Sequence, residues 1–191
     1  LKEQIARWKE KGQVGRPVRA MVVGIPNVGK STFINKVAKK KSAKAGDRPG
    51  VTRGKQWVTV DQGLELLETP GILWPKFEDQ TTALHLAFTG AVRDAIMDVE
   101  TLGCHLMELL ALRKPEAITA RFKFVPEEGM TGWELMELGA RKRGFLISGG
   151  EVDLERMANI LLDEFRGGKM GRITLEVPAD LKKGAEDHGE T

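Results

Sequence analysis

The chain has 191 residues, 41% of them hydrophobic and 30% charged, which is ordinary for a globular protein large enough to bury a core. No apolar run approaches the roughly 20 residues that span a membrane, and the single cysteine excludes an internal disulfide, so a reducing cytoplasm is expected. Residues 1–60 carry 15 Lys/Arg against 3 Asp/Glu, whereas residues 61–191 carry 15 against 24, an asymmetry that favours RNA or another polyanion over a merely solvated surface.

The first predicted elements are a helix, a short strand and a second helix. Residues 1–11 have a helical alternation of apolar and charged residues, and Ala20-Met21-Val22-Val23 is typical of a buried strand. A helix is then predicted from Ser31 to Lys41, with one apolar face made of Phe33, Ile34 and Val37.

Between that strand and helix lies a phosphate-binding pattern, G-x-x-x-x-G-K-[ST], in the stretch Gly24-Ile25-Pro26-Asn27-Val28-Gly29-Lys30-Ser31. The order strand, loop, helix is the one that phosphate binding requires, because loop N–H groups and the positive helix end converge on phosphate oxygens. Lys30 is expected to reach the β- and γ-phosphates, and the Ser31 hydroxyl to ligate Mg²⁺. The sequence therefore predicts a nucleotide-binding site.

A long loop and a hairpin follow, and they contain two further candidate residues. The loop covers residues 41–54 and the strands are predicted at residues 56–60 and 64–67, before Glu68-Thr69-Pro70-Gly71. GTPases sense the γ-phosphate with a loop threonine that reaches Mg²⁺ and with a glycine N–H in a D-x-x-G turn. Thr52 and Gly71 stand 22 and 41 residues after Lys30, so we predict these two roles for them.

Three features depart from the general GTPase pattern. Glu68 replaces the usual aspartate, and its extra methylene shifts the geometry of any metal-bound water that it holds. Ile72 replaces the glutamine that orients the attacking water in many GTPases, so the catalytic group must come from elsewhere and intrinsic hydrolysis is expected to be slow. The guanine-specificity motif N-K-x-D is absent from the chain, so either guanine is not selected or the motif lies upstream of Leu1.

The second half of the chain is predicted to be mostly helical. Helices are expected over residues 81–94 and 99–114, from a capping box at Thr131, and over residues 153–165, with a short strand or extended segment at residues 171–177. Trp57 and Trp133 are expected in cores, and the histidines show no metal-binding spacing. This organisation predicts a nucleotide domain at residues 1–78, a helical domain at residues 79–181 and a disordered tail at residues 182–191.

Three stretches together resemble the circularly permuted YlqF/RbgA-type GTPases, which are bacterial assembly factors of the large ribosomal subunit. The stretches are residues 24–32, Gly46-Asp47-Arg48-Pro49-Gly50-Val51-Thr52 and Thr69-Pro70-Gly71-Ile72-Leu73-Trp74-Pro75-Lys76. In that family the guanine motif precedes the phosphate loop and a hydrophobic residue replaces the glutamine. The resemblance implies an α/β fold class: a P-loop GTPase domain, circularly permuted and here incomplete, followed by a small, mostly α-helical C-terminal domain.

The resemblance also implies roles for individual residues. Lys30 and Thr52 would be catalytic, Ser31 and Thr52 would ligate Mg²⁺, Gly71 would sense the γ-phosphate, and Asn27 would hold K⁺ near the phosphates. The residues expected to contact GTP or GDP through the loop are Asn27, Val28, Gly29, Lys30, Ser31 and Thr32.

The same resemblance implies partners and leaves alternatives open. The expected partners are the large ribosomal subunit and its rRNA, with the helical domain binding RNA, no membrane partner, and a monomer away from the ribosome. Lys39-Lys40-Lys41 with Lys44 and Arg48 is interpreted as an RNA-facing patch rather than a solvated helix end. The alternatives are a nucleotide-gated RNA-binding module without significant hydrolysis and, less favoured, an ATPase.

Overall fold

The computed structural model describes residues 2–12, 17–38, 54–61, 63–73, 79–92 and 98–177. They belong to two compact units, which we call the sheet unit (Leu1–Gln80 with Thr89–Arg93) and the helical unit (Thr81–Phe88 with Asp94–Thr191). The polypeptide therefore passes from the sheet unit to the helical unit, returns for five residues and leaves again. Within the described ranges, no helix has the length and apolar character needed to cross a membrane.

The sheet unit is built on a small mixed sheet. Its elements in chain order are α1 (Lys2–Glu10), β1 (Val18–Val22), α2 (Lys30–Val37), β2 (Gln56–Asp61) and β3 (Leu64–Glu68). The strand order is β1-β3-β2, with β1 parallel to β3 and β2 antiparallel to β3. Val18 pairs with Leu64 and Val22 with Glu68, so β1 and β3 end side by side at the same edge of the sheet.

Helix α2 packs on this sheet through an apolar stripe. Ile34 is fully buried and Ala38, just beyond the helix, is also buried, and both belong to one hydrophobic cluster with Val58 and Leu66 of the strands. Val37 completes the i, i+3, i+4 spacing expected of a helix that packs by one face. The prediction that Phe33 joins this face is wrong: its side chain is 55% exposed because it lies one residue, about 100° of helical rotation, away from Ile34.

The core position predicted for Trp57 is also wrong. Side chains alternate between the two faces of a strand, so the burial of Val58 in the core turns Trp57 outward, where it is about half exposed. The Arg19 guanidinium lies 5.0 Å from the Trp57 ring centroid and its Nε donates a hydrogen bond of 2.8 Å to Glu65. Trp57 thus lies with Arg19 and Glu65 on the face of the sheet opposite Val58.

The helical unit contains five helices in the part of the chain that the structure describes. They are α3 (Gln80–Phe88, whose first residue belongs to the sheet unit), α4 (Val99–Arg113), α5 (Pro115–Phe122), α6 (Gly132–Arg143) and α7 (Leu154–Arg166). The capping box predicted at Thr131 is confirmed, since its hydroxyl accepts from the Glu134 N–H while the Glu134 carboxylate accepts from the Thr131 N–H. The helix predicted over residues 81–94 ends earlier, at Phe88, where a Thr89-Gly90 turn follows.

Helix α4 is central in this unit and packs against α5, α6 and α7. Leu102, Leu106 and Leu110 of its predicted stripe are buried, and Leu109 packs against the same core. The expectation of a buried Trp133 is wrong: it follows the first residue of α6 and is about half exposed. Residues 171–177 form no strand.

Two carbonyls at the end of α3 are bound by an arginine of α7. Arg166 Nε donates to the Phe88 carbonyl at 3.0 Å, and Arg166 Nη2 donates to the Ala87 carbonyl at 2.8 Å. The last carbonyls of a helix have no partner within the helix, so these bonds satisfy groups that would otherwise need water. Helix α3 is therefore joined to the helical unit by polar as well as apolar contacts.

A charged cluster is built into the same unit around Glu164 of α7. Its side chain is buried and accepts hydrogen bonds from Arg121 Nε at 2.6 Å and from Arg143 Nη2 at 3.2 Å. Arg143 also lies over the rings of Phe122 and Phe145. The hydrogen bond from Arg121 holds the pKa of the Glu164 carboxyl below its usual value, although burial acts in the opposite direction.

The cluster predicts an acid-dependent loss of stability. A carboxyl whose folded-state pKa is lowered stabilises the protein above its unfolded pKa, and this contribution disappears as the pH falls through the folded pKa. Glu164→Gln should therefore lower the free energy of unfolding by about 1–3 kcal/mol at pH 7 and weaken its decline below pH 4.5. Urea unfolding followed by circular dichroism between pH 3 and 7 measures both effects.

The neighbouring Asp163, which is exposed on the same helix, provides the matched control. Asp163→Asn should leave the unfolding free energy within about 0.5 kcal/mol of the original value. Equal effects of the two substitutions would contradict a specific role for the Glu164 cluster.

Candidate functional site

The predicted phosphate loop lies between the end of β1 and the start of α2. Asn27 and Gly29 have left-handed backbone conformations, with φ of 59° and 88°, and Gly29 is the N-cap of α2. The cap position has no side chain, and the first turn of α2 contains no acidic residue. No side chain of the helix's own first turn therefore competes with an anion for the N–H groups at its positive end.

Lys30 folds back over this loop. Its Nζ donates to the Gly24 carbonyl at 3.0 Å and to the Ile25 carbonyl at 2.7 Å. Partial burial lowers the pKa of the Lys30 ammonium below its ordinary value, and the negative charge of Glu68 opposes that shift. The loop thus holds a cationic group against its own backbone, close to a carboxylate.

Ser31 and Glu68 connect the loop to the end of β3. The Ser31 hydroxyl donates a short hydrogen bond to Glu68 Oε1, and Glu68 is only 1% exposed, with its second oxygen, Oε2, also buried. The next residue, Thr69, is buried and its hydroxyl donates to the Val22 carbonyl at 2.9 Å. The last residue of β3 is therefore hydrogen-bonded to the residue after the loop lysine, and the first residue after β3 to the last residue of β1.

Gly71 lies directly against the phosphate loop. A Cβ atom added at this position would come within 2.5 Å of Pro26 Cα and Pro26 N and within 2.9 Å of the Ile25 carbonyl carbon. Real Cβ atoms do not approach backbone atoms so closely, so the contact requires glycine. The structure thus brings the residue predicted to sense the γ-phosphate next to the loop predicted to bind the phosphates.

Asn27 makes a contact that the sequence did not indicate. Its Nδ2 donates to the carbonyl of Gly90 at 2.9 Å, across 63 residues of sequence. Gly90 is buried and belongs to the five-residue return of the chain to the sheet unit. Sequence reasoning placed it inside a helix, although the Thr89-Gly90 pair was a usable turn signal. The hydroxyl bond of Thr69 was likewise missed, because a Thr-Pro-Gly turn does not reveal its partner.

The remaining predicted site residues either lie outside the described part of the chain or are exposed. Thr52 lies outside the described residues, as do the lysines at 39–41 and 44, Arg48 and residues 74–76. Val28 and Thr32 are exposed, and Ile72 is 75% exposed beside Gly71. In the described part of the chain, no group of three or more His, Cys, Asp or Glu residues has the arrangement of a metal cluster.

The segment that contains the phosphate loop and Gly71 matches a known protein family. Residues 19–121 match the family of 50S ribosome-binding GTPases. The chain belongs to this family. The family resemblance and the α/β P-loop fold class predicted from the sequence are thereby confirmed.

Individual relatives agree with that assignment. The ribosome biogenesis GTPase A of Bacillus cereus is 44% identical over 189 residues, which are 98% of this chain and 63% of that protein. A GDP-bound structure of TM YlqF is 27% identical with a TM-score of 0.59 and covers 94% of this chain and 77% of its own. A GNP-bound structure of YlqF from T. maritima is 26% identical with a TM-score of 0.58, over 93% and 75% of the two chains. The chain thus spans less than two thirds of the length of the Bacillus cereus protein.

The contact between Gly71 and Pro26 predicts the effect of a single methyl group. Gly71→Ala should displace the turn from the loop, destabilise the protein by about 1–3 kcal/mol and weaken binding of a non-hydrolysable GTP analogue about tenfold. Urea unfolding and the fluorescence of a labelled analogue measure the two effects.

Gly54 offers a control, because a Cβ added there meets no atom within 4 Å and its backbone conformation is not left-handed. Gly54→Ala should leave analogue affinity unchanged. Unchanged affinity in the Gly71 variant would show that the turn does not depend on this close contact.

Proposed function

We propose that the protein is a GTP-binding and GTP-hydrolysing switch that acts in the cytoplasm in assembly of the large ribosomal subunit. The observation that carries this proposal is the convergence of Lys30, Ser31, Glu68 and Gly71 on one phosphate loop within a member of the 50S ribosome-binding GTPase family. Such a loop binds phosphates, and a glycine turn in contact with it responds to the presence of a γ-phosphate.

Guanine as the base is supported by the comparisons rather than by a recognition motif. The structures similar to this chain are titled as GDP-bound and GNP-bound YlqF. The chain itself contains no N-K-x-D motif. We therefore assign GTP and GDP as the nucleotides, and an N-K-x-D motif upstream of Leu1 in the parent gene would exclude the ATPase alternative.

The proposed chemistry is in-line attack of water on the γ-phosphate. Lys30 and the N–H groups of Asn27 to Thr32 would stabilise the negative charge on the phosphate oxygens, and the Gly71 N–H would contact the γ-phosphate. Ser31 and Glu68 supply hard oxygen donors that suit Mg²⁺, with Thr52 as the further proposed ligand. That ion would offset the phosphate charge. The exposed Ile72 side chain has no polar atom to orient water, which is why a low intrinsic rate is proposed.

The helical unit is proposed to bind rRNA as part of the same function. The proposed RNA-binding domain covers residues 79–181, and the exposed Arg141 and Lys142 in the last turn of α6 are suited to phosphate contacts. Arg141 also pairs with Glu137 at 2.7 Å, so its guanidinium is already oriented on the helix surface. Away from the ribosome the protein would be a monomer.

The second candidate is a nucleotide-gated RNA-binding module that does not hydrolyse GTP at a significant rate. It is favoured by the apolar, 75% exposed Ile72 beside the sensor glycine. Both candidates bind nucleotide through the same loop, so only a rate measurement separates them.

Single-turnover hydrolysis of GTP with and without large ribosomal subunits provides that measurement. The switch hypothesis predicts a rate increase of at least about tenfold, equivalent to about 1.4 kcal/mol of transition-state stabilisation, when subunits are present. Lys30→Met should abolish the stimulated rate, because it removes the charge at the loop, whereas Lys36→Met, on an exposed position of α2, should not. GTP binding without stimulated hydrolysis would favour the second candidate.

The K⁺ role proposed for Asn27 gives a separate prediction. An amide oxygen is a suitable K⁺ ligand, and a cation near the phosphates would replace charge that an arginine finger supplies in other GTPases. Exchange of KCl for NaCl at constant ionic strength should slow single-turnover hydrolysis about tenfold. Asn27→Ala should be slow in both salts, and equal rates of the unaltered protein in the two salts would refute the K⁺ role.

A further inference from the structure

The position of the Glu68 backbone is set by the sheet, so the extra length of its side chain must be accommodated at the site. Glu68 is the last residue of β3 and pairs with Val22. An aspartate at this point would end one methylene group farther from the loop. The Glu68 carboxylate instead reaches the Ser31 hydroxyl itself and accepts its hydrogen bond.

We propose that Glu68 binds the divalent cation of the nucleotide complex as a direct ligand beside Ser31, rather than through a metal-bound water. The inference deepens the proposed function and rests on it, since it concerns the cation that accompanies the nucleotide. Its starting point is that Ser31 Oγ and Glu68 Oε1 are in hydrogen-bond contact.

The hydrogen-bond contact brings the Ser31 hydroxyl and the Glu68 carboxylate to the same place, between the start of α2 and the end of β3. Mg²⁺–oxygen distances of about 2.0–2.1 Å in octahedral geometry place neighbouring ligand oxygens about 2.9 Å apart, so the two oxygens would move apart to receive the ion between them. The Ser31 proton would turn away, leaving a hydroxyl lone pair and a carboxylate lone pair directed at the same point.

Burial argues against an intervening water. Glu68 is 1% exposed and its Oε2 is inaccessible to water, while Thr69 beside it is buried and bonded to the Val22 carbonyl. The turn is further held by the backbone contact between Gly71 and Pro26. The carboxylate therefore lies in a closely packed turn, and direct ligation would replace its hydrogen bond from Ser31 with a metal bond.

The electrostatics of the loop point the same way. A carboxylate removed from water needs a compensating charge or hydrogen bonds. Glu68 has the Ser31 hydroxyl and lies near enough to the Lys30 ammonium to influence it. Lys30 is also the residue expected to move toward nucleotide phosphates. A directly bound cation would then replace the compensation that Lys30 gives to Glu68.

Mn²⁺ is a suitable probe because its bound waters and ligands are visible by electron paramagnetic resonance. In the Mn²⁺–GDP complex, the unaltered protein should retain one water fewer than Glu68→Asp, counted by line broadening in ¹⁷O-enriched water. Protein labelled with ¹³C-glutamate should show a manganese coupling to a carboxylate carbon, and Glu68→Asp should lose it. Glu65→Asp, on the same strand, is the matched control and should behave like the unaltered protein.

Two further measurements keep the outcomes distinct. Glu68→Gln retains side-chain length and should fold like the original, as checked by thermal unfolding, while its Mn²⁺ dissociation constant in the GDP complex rises at least about tenfold. Binding of fluorescent GDP is measured in every variant. Equal water counts with no ¹³C coupling would overturn the direct ligand while leaving nucleotide binding intact. Failure of the unaltered protein to bind GDP would overturn the proposed function and this inference with it.

Discussion

The parallel pairing of β1 with β3 is the constraint on which the candidate site depends. Because Val22 and Glu68 are opposite each other, the loop that follows one strand and the turn that follows the other leave the sheet at the same edge. Side chains alternate between the two faces of a strand. If the register of β3 slipped by one residue, Glu68 would point away from Ser31 and Thr69 would point toward Ser31 instead. The buried cluster of Ile34 with Val58 and Leu66 resists such a slip, and apolar packing thereby sets the geometry of polar groups.

Glu68 and Glu164 are both buried, but they differ in the groups that donate hydrogen bonds to them. Glu164 is held by two guanidinium groups, which stay charged at any ordinary pH. Glu68 is held by a hydroxyl that can rotate and lies near a lysine on a flexible stem. The first arrangement suits a permanent structural link, and the second suits a group whose partners change when a ligand arrives.

The sequence predicted features that depend on residues close together in the chain, and it did not predict features that depend on residues far apart. The phosphate loop and the Thr131 capping box are local, since backbone requirements and side-chain chemistry within a few residues determine them. The exposure of Phe33, Trp57 and Trp133 could not be read in the same way, because it depends on which face of each element meets the rest of the unit. The bond between Asn27 and Gly90 joins residues 63 positions apart, and no periodicity indicates such a pair. The roles of Thr52 and Gly71 toward nucleotide remain predictions.

The return of the chain to the sheet unit at Gly90 affects whether the protein can be cut into two fragments without loss of a hydrogen bond. A fragment that ends at Gln80 keeps the whole sheet and the phosphate loop, yet it lacks the carbonyl to which Asn27 donates. A fragment that begins at Asp94 keeps α4 to α7, yet it deprives Arg166 of the two carbonyls at the end of α3. Any recombination joint between residues 80 and 94 therefore breaks a hydrogen bond in one half or the other. The sheet unit and the helical unit are interleaved in sequence, so only a gene segment that encodes both keeps all of these hydrogen bonds.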